Sequence, residues 1–166
     1  MLQCCSMQNA LKPKLSRAEV EAINARVTVL RAEDATATEE LADATHNGAE
    51  TWHDNSAFDA AKDKKNLAQL SLGKLLTLLR HAEIVEPPEA IDIVTVGTAV
   101  RYRDEELGTE HEVKLAGDGA WLMDGDWASI HAPLGQLLLN GRIGQTLAGE
   151  IGPRSVQLTI LEIKSL

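Results

Sequence analysis

The chain of 166 residues is long enough for one ordinary domain or two small ones, and its net charge of −9 argues against simple duplex-DNA binding. With 44% apolar residues and only 3% aromatics, any core must be built mainly from Leu, Val, Ile and Ala. Cys4 and Cys5 are adjacent and alone, which leaves no disulfide framework and no Cys-x-x-Cys zinc pair; with no signal-peptide pattern and no apolar run near the roughly 20 residues of a membrane span, a cytoplasmic protein without membrane contact is expected.

Residues 1–14 show no periodicity and read as a loose leader. Ser16-Arg17-Ala18-Glu19 has the form of a capping box, with Leu15 and Val20 at the hydrophobic-staple positions. Val20, Ile23, Val27 and Leu30 then follow at spacings of 3, 4 and 3, the seam of a two-stranded coiled coil. The register continues through Asp34, Ala37, Leu41 and Ala44, so the seam turns small and polar toward its far end. Asn47-Gly48 is a stop signal. A second helix is expected to start from an N-cap at Asp54 or Asn55. Its seam is Phe58, Ala61, Ala68, Leu72, Leu75, Leu79 and Ala82, interrupted by Lys65. Two antiparallel helices of roughly 30 residues make a rod of roughly 40 Å. A hairpin over residues 15–86 is therefore expected, packed at its base and polar at its tip.

The polarity of that tip is pronounced. From Ala32 to Ala61 there is no Lys or Arg, while Glu33, Asp34, Glu39, Glu40, Asp43, Glu50, Asp54 and Asp59 supply eight carboxylates. Most such runs are solvated helix faces, but this one falls where the chain reverses direction. A globular fold gains little from a charged tip, whereas a probe inserted into a partner needs one.

Pro87-Pro88 ends the helical region and opens a linker over residues 87–90. Residues 91–166 then carry short β-like runs at Ile91–Val96, Thr98–Arg103, Glu110–Leu115, Ser129–His131, Gln145–Glu150 and Ser155–Ile163. One short helix interrupts them, with Pro133 in its first turn, Leu137 to Leu139 in its body and Gly141 after its end. The fold class expected is α+β: a helical hairpin followed by a compact antiparallel sheet domain with one short helix.

Asp54-Asn55-Ser56-Ala57-Phe58-Asp59-Ala60-Ala61-Lys62 resembles the tip and second-helix signature of the Gre transcript-cleavage factors, a family that typically reads Glu-Asn-Ala-Glu-Tyr, two residues, then Ala-Lys. Val96-Gly97-Thr98-Ala99-Val100 is similar to the family's first C-terminal strand. The run from Ala132-Pro133-Leu134-Gly135 to Gly141-Arg142-Ile143-Gly144 is similar to its Ser-Pro-Leu-Gly segment, and Ile160-Leu161-Glu162-Ile163 to its closing strand. The resemblance covers roughly residues 15–166.

It implies an antiparallel coiled coil and an FKBP-like C-terminal domain. That domain would dock at the rim of the secondary channel of bacterial RNA polymerase, with Pro133, Leu134 and Gly135 as docking candidates, while the coiled coil enters the channel. Cleavage-competent relatives use two tip acids, an Asp and a Glu three residues later, to hold the polymerase's second Mg²⁺ and orient a water that cuts backtracked RNA. Oxygen ligands and a two-metal site suit that chemistry. The factor itself would be a monomer with no cofactor or bound metal of its own and would not be an enzyme alone.

The pattern departs at the tip. Asp54 stands where the family has Glu, Thr51 stands where it has the first Asp, and the loop is about two residues longer, with Trp52 and His53 in it. Glu50 would replace the missing carboxylate if the loop aims it inward. The departures favour an inhibitor or modulator of elongation over a cleavage stimulator, which stays as the alternative. Trp52 would either wedge against the polymerase or cap its own hairpin. His46, His53 and Asp54 have metal-ligand chemistry but also suit an exposed loop. Lys62, Lys64 and Lys65 would meet the 3′ end of nascent RNA or serve as ordinary helix-surface charge. Tyr102, Trp121 and Trp127 read as packing of the second domain more readily than as a ligand pocket. A prolyl isomerase or chaperone remains a distant alternative, because fold alone does not carry function.

Overall fold

The computed structural model describes residues 12–47, 56–87 and 91–166. A short strand, β1 (Lys14–Ser16), leads into the long helix α1 (Arg17–Asn47), and α2 (Ser56–His81) returns alongside it. The chain then forms β2 (Glu83–Val85), which pairs in parallel with β1, Leu15 opposite Ile84. The chain entering the hairpin and the chain leaving it are thus tied together at its base. The expected helical hairpin is present as α1 and α2, flanked by the strands Lys14–Ser16 and Glu83–Val85, and Lys14 of the expected leader belongs to the first of them.

The capping box forms as the sequence predicts. Ser16 donates both its backbone amide and its hydroxyl to Glu19 Oε2 at 2.8 Å, and the Glu19 amide donates back to Ser16 Oγ at 3.3 Å. The two seams face each other. Leu15, Ile23, Val27, Leu30 and Leu75 form one buried cluster, with Val20, Leu72, Leu78 and Leu79 packed around it. Farther out, the buried seam residues are Ala37, Ala61 and Ala68, and Asp34 sits half-buried with its Oδ1 lacking a hydrogen-bond partner. A fully buried Leu contributes roughly 2 kcal/mol and an Ala far less, so cohesion is concentrated at the base. With 31 residues, α1 spans about 46 Å.

The second half is a curled five-stranded sheet of β3 (Thr98–Asp104), β4 (Thr109–Ala116), β5 (Trp127–Ser129), β6 (Thr146–Ile151) and β7 (Arg154–Ser165), ordered β5-β4-β3-β7-β6. Between β5 and β6 lies the short helix α3 (Pro133–Leu138). The core combines Val100, Val113, Leu115, Val156, Leu158, Ile160 and Ile163 from the strands with Leu138 from α3.

The fully antiparallel sheet expected from the sequence is corrected here to a mixed one, because β5 pairs in parallel with β4. The expected strand at Ile91–Val96 is also absent. Ile93 makes a single bridge to Arg142, and Val94 exchanges backbone bonds of 2.9 Å with Asn140 and Gly141. That run is apolar because Val94 plugs the core beneath α3, not because it joins the sheet. The expected strand at Ser129–His131 lies at Trp127–Ser129, since Ile130 and His131 turn the chain toward Pro133. The left-handed residue after α3 is Asn140, with φ of 64°. Gly141 is needed for space: a Cβ there would lie 2.4 Å from Ile160 Cδ1.

Candidate functional site

Three regions bear on function: the arm, the α3 face of the sheet, and the clasp that joins them. On the arm, Lys62 is exposed and points from α2 near its start. Lys64 is engaged across the hairpin, its Nζ 2.9 Å from Glu40 Oε2. Lys65, at the position that interrupts the seam of α2, is half-buried. The three lysines therefore differ in availability. The tip candidates Glu50, Thr51, Trp52, His53, Asp54 and Asn55 lie outside the described residues, and so does the His46 side chain. Among the described residues no group of three His, Cys, Asp or Glu is placed to hold a metal ion.

On the sheet, Pro133 occupies the first turn of α3, where its missing N–H costs nothing. Pro133 is exposed, Leu134 half-buried and Gly135 buried. A Cβ at Gly135 would lie 2.0 Å from the Ser129 carbonyl oxygen, so this glycine sets how closely α3 approaches the end of β5. Of the three docking candidates, Pro133 and Leu134 offer surface and Gly135 positions them.

Leu134 also lines a cup with Tyr102, Asp104, His111, Ile151 and Arg154. Arg154 Nη2 donates to Asp104 Oδ2, and the amides of Glu106 and Leu107 donate to Asp104 Oδ1 at 3.0 and 3.2 Å. Burial opposes ionisation of Asp104, but the Leu107 amide, Arg154 and the Glu106 amide together outweigh it and hold its carboxyl below the usual range. Burial, with the Asp104 charge beside it, raises the Tyr102 phenol. Trp121 and Trp127 do not join Tyr102 in this cup. Trp121 is exposed on the 3-10 turn Ala120–Leu122, and Trp127 lies beneath Lys114, its ring centroid 5.6 Å from Nζ. Among the described residues, Tyr102 is the one Phe, Tyr or Trp that lines this cup, with the His111 ring 5.7 Å from it.

The clasp was not legible in the sequence. Glu19, fully buried, already accepts both Ser16 donors and also accepts the amides of Gly117 at 3.0 Å and Gly119 at 2.8 Å. Beside it, Lys14 donates its amide to Asp118 Oδ2 at 2.7 Å and accepts from the Asp118 amide at 2.9 Å. His131 Nε2 lies 3.1 Å from Asp118 Oδ1. Leu122 packs onto the apolar base of the hairpin. Residues 117–122 therefore grip the start of α1, and the arm is fixed to the sheet by backbone as well as side-chain bonds. Gly117 is the one residue type that fits, since a Cβ would fall 1.9 Å from the Lys14 carbonyl oxygen. The Gly-Asp-Gly run at 117–119 was the available signal, because paired glycines mark close backbone approach.

These elements define a class of protein: a slender antiparallel helical arm clasped at its base to a small curled mixed sheet. Residues 87–165 match the family model described as transcription elongation factor, GreA/GreB, C-terminal. The chain is 30% identical over 112 residues to transcription elongation factor GreA of Lachnoclostridium phytofermentans, covering 67% of this chain and 70% of that one. It is 28% identical over 112 residues to GreA of Caldanaerobacter subterraneus subsp. tengcongensis, covering 67% and 71%. Among solved structures it is similar to GreA factor homolog 1 of Thermus thermophilus, at 22% identity and a TM-score of 0.42, covering 93% of this chain and 99% of that one. The chain belongs to the Gre family of transcription elongation factors.

Proposed function

We propose that this chain binds bacterial RNA polymerase in the cytoplasm, seats its α3 face on the rim of the secondary channel, and inserts the hairpin arm toward the polymerase active site. The observation that carries this reading is the arm itself. Its leucine-rich base is clasped to the sheet, while among the described residues the buried apolar side chains of its outer half are the small ones of Ala37, Ala61 and Ala68. Such an outer half adds little to the stability of the fold and much to its reach.

At the tip we propose inhibition of elongation. Thr51 has no charge where cleavage-competent relatives carry an acid, and Asp54 is shorter by one methylene than the Glu it replaces, a difference near 1 Å that matters at a catalytic metal. Mg²⁺ of the polymerase supplies the chemistry of the channel. Carboxylate oxygens of Glu50 and Asp54 are suitable ligands for that ion, and the arm would disturb the metal or obstruct nucleotide access without catalysing a reaction. Lys62 and Lys64 are both exposed, and Lys62, unlike Lys64, is not the lysine that meets Glu40, so it is the candidate to meet the 3′ end of nascent RNA.

The second reading is stimulation of transcript cleavage, favoured by the two carboxylates that the tip retains. Incubating a stalled, backtracked elongation complex with the protein separates them. Slower nucleotide addition with RNA of unchanged length supports inhibition, and shortened RNA supports cleavage. No effect on either, with no binding to polymerase, would sink both.

A further inference from the structure

We propose that residues 1–11 of this chain dock back onto its own arm, in a groove on the outward face of α2, and so cover the base of the hairpin on the side away from α1. The inference concerns a surface apart from the tip and the α3 face and stands independently of the polymerase reading.

The seam uses one face of α2, through Ala68, Leu72, Leu75 and Leu79. A second face, through Leu70, Gly73, Thr77 and His81, repeats at spacings of 3, 4 and 4 and is exposed. Gly73 and Thr77 each stand two positions from Leu75, about 200° around the helix, so this face looks away from α1. It forms one side of a groove of about 730 Å³ whose lining also includes Leu78 and, from outside the helix, Pro13. Leu70 is 65% exposed there. Gly73 lies inside the helix, where a glycine costs about 1 kcal/mol relative to Ala, and a Cβ at that position would meet nothing within 4 Å. Packing among the described residues therefore does not call for a glycine. A chain segment lying close along the helix does, because the missing side chain lets a backbone approach.

The occupant follows from where the chain arrives. The Pro13 carbonyl accepts the Glu83 amide at 2.7 Å, and Pro13 itself lines the groove. Residues 1–11 are thus tethered two residues from it, at an effective concentration of about millimolar order. Leu70 and His81 are about 16 Å apart along the helix, and eleven residues reach up to about 36 Å when extended. The segment spans the groove even where it turns. Composition agrees. Seven of the eleven residues are apolar, Leu2, Met7 and Leu11 among them, and none is Asp, Glu, Lys, Arg or His. Such side chains cover an apolar face without burying an unpaired ion, and methionine adapts to an irregular groove.

Cys4 and Cys5 are the only cysteines in this sequence, so maleimide alkylation of the full chain reports on this segment alone. The expected rate in the native protein is about tenfold below that of a synthetic peptide of residues 1–11, the ratio for a segment docked about 90% of the time. Because the contact lies within one chain, that rate is expected to stay the same from about 1 to 50 μM protein. Leu70→Glu and Gly73→Trp, both at exposed positions, are expected to bring it up to the peptide's rate with unchanged helical circular dichroism. Native cysteines that react as fast as the peptide overturn the proposal, and so does slow alkylation that neither substitution changes. Protection that appears only as protein concentration rises assigns the groove to a second copy, and protection that appears only on adding polymerase assigns it to the polymerase. Either result overturns docking within the chain.

Discussion

Glu19 Oε1 accepts the backbone amide of Gly119 at 2.8 Å, a bond between the first turn of the arm and a loop one hundred residues later in the chain. The same carboxylate closes the capping box of its own helix. One side chain therefore starts the helix and fixes where it points.

Glu19→Ala is expected to strip acceptors from the buried amides of Ser16, Gly117 and Gly119 together. Each unsatisfied buried donor costs about 1–3 kcal/mol, so a loss on the order of 3 kcal/mol or more is expected in urea unfolding. Gly117→Ala should give a comparable loss by steric means, through its clash with Lys14. If Glu19→Ala unfolds at the wild-type midpoint, the clasp is not what holds the arm.

Leu75→Ala and Ala61→Gly probe the two ends of the arm. Leu75 is buried in the basal cluster, and its truncation should cost about 3 kcal/mol. Ala61→Gly removes only a methyl group and some helix propensity, about 1 kcal/mol. Hydrogen exchange should follow the same gradient, with slower amides at the base than in the outer half. Equal protection along the arm would contradict the distribution of packing described above.

Asp104 gives a pH dependence of known sign. Its carboxyl is held below the usual range in the fold, so its stabilising contribution is complete above the ordinary carboxylate pKa and is lost as pH falls through the folded value. Glu110, lowered by its hydrogen bond to Arg103, acts in the same direction. The urea midpoint should fall between about pH 5 and pH 2, and Asp104→Asn should flatten that fall. An Asp104→Asn protein that tracks the wild type across this window would remove Asp104 from the account.

Asp54→Ala and Leu134→Asp separate acting from docking. Asp54→Ala is expected to abolish the effect on elongation complexes while binding to polymerase stays nearly intact. Leu134→Asp should weaken binding about thirtyfold, the size of a 2 kcal/mol hot spot, with unchanged circular dichroism. Wild-type behaviour of Asp54→Ala would show that the tip acid is wrongly assigned, and wild-type affinity of Leu134→Asp would move the docking face elsewhere.

What the sequence determined by itself is local or periodic. The 3-4 spacing of Val20, Ile23, Val27 and Leu30 fixes a helical seam because such residues share one face of a 3.6-residue turn. Ser16 and Glu19 fix its start because the capping box is made within four residues, and alternating patterns placed β3, β4, β6 and β7 closely. What needed the tertiary structure is every relationship whose partners lie far apart in the chain. Nothing near Glu19 announces that it reaches Gly117 and Gly119, nothing in Lys14–Ser16 or Glu83–Val85 announces a parallel pair, and Ile91–Val96 looks like a strand because an apolar plug and a buried strand share one composition. The parallel β4–β5 pairing was hidden for the same reason: side-chain alternation records which face is buried, and strand direction is decided only when the chain closes on itself.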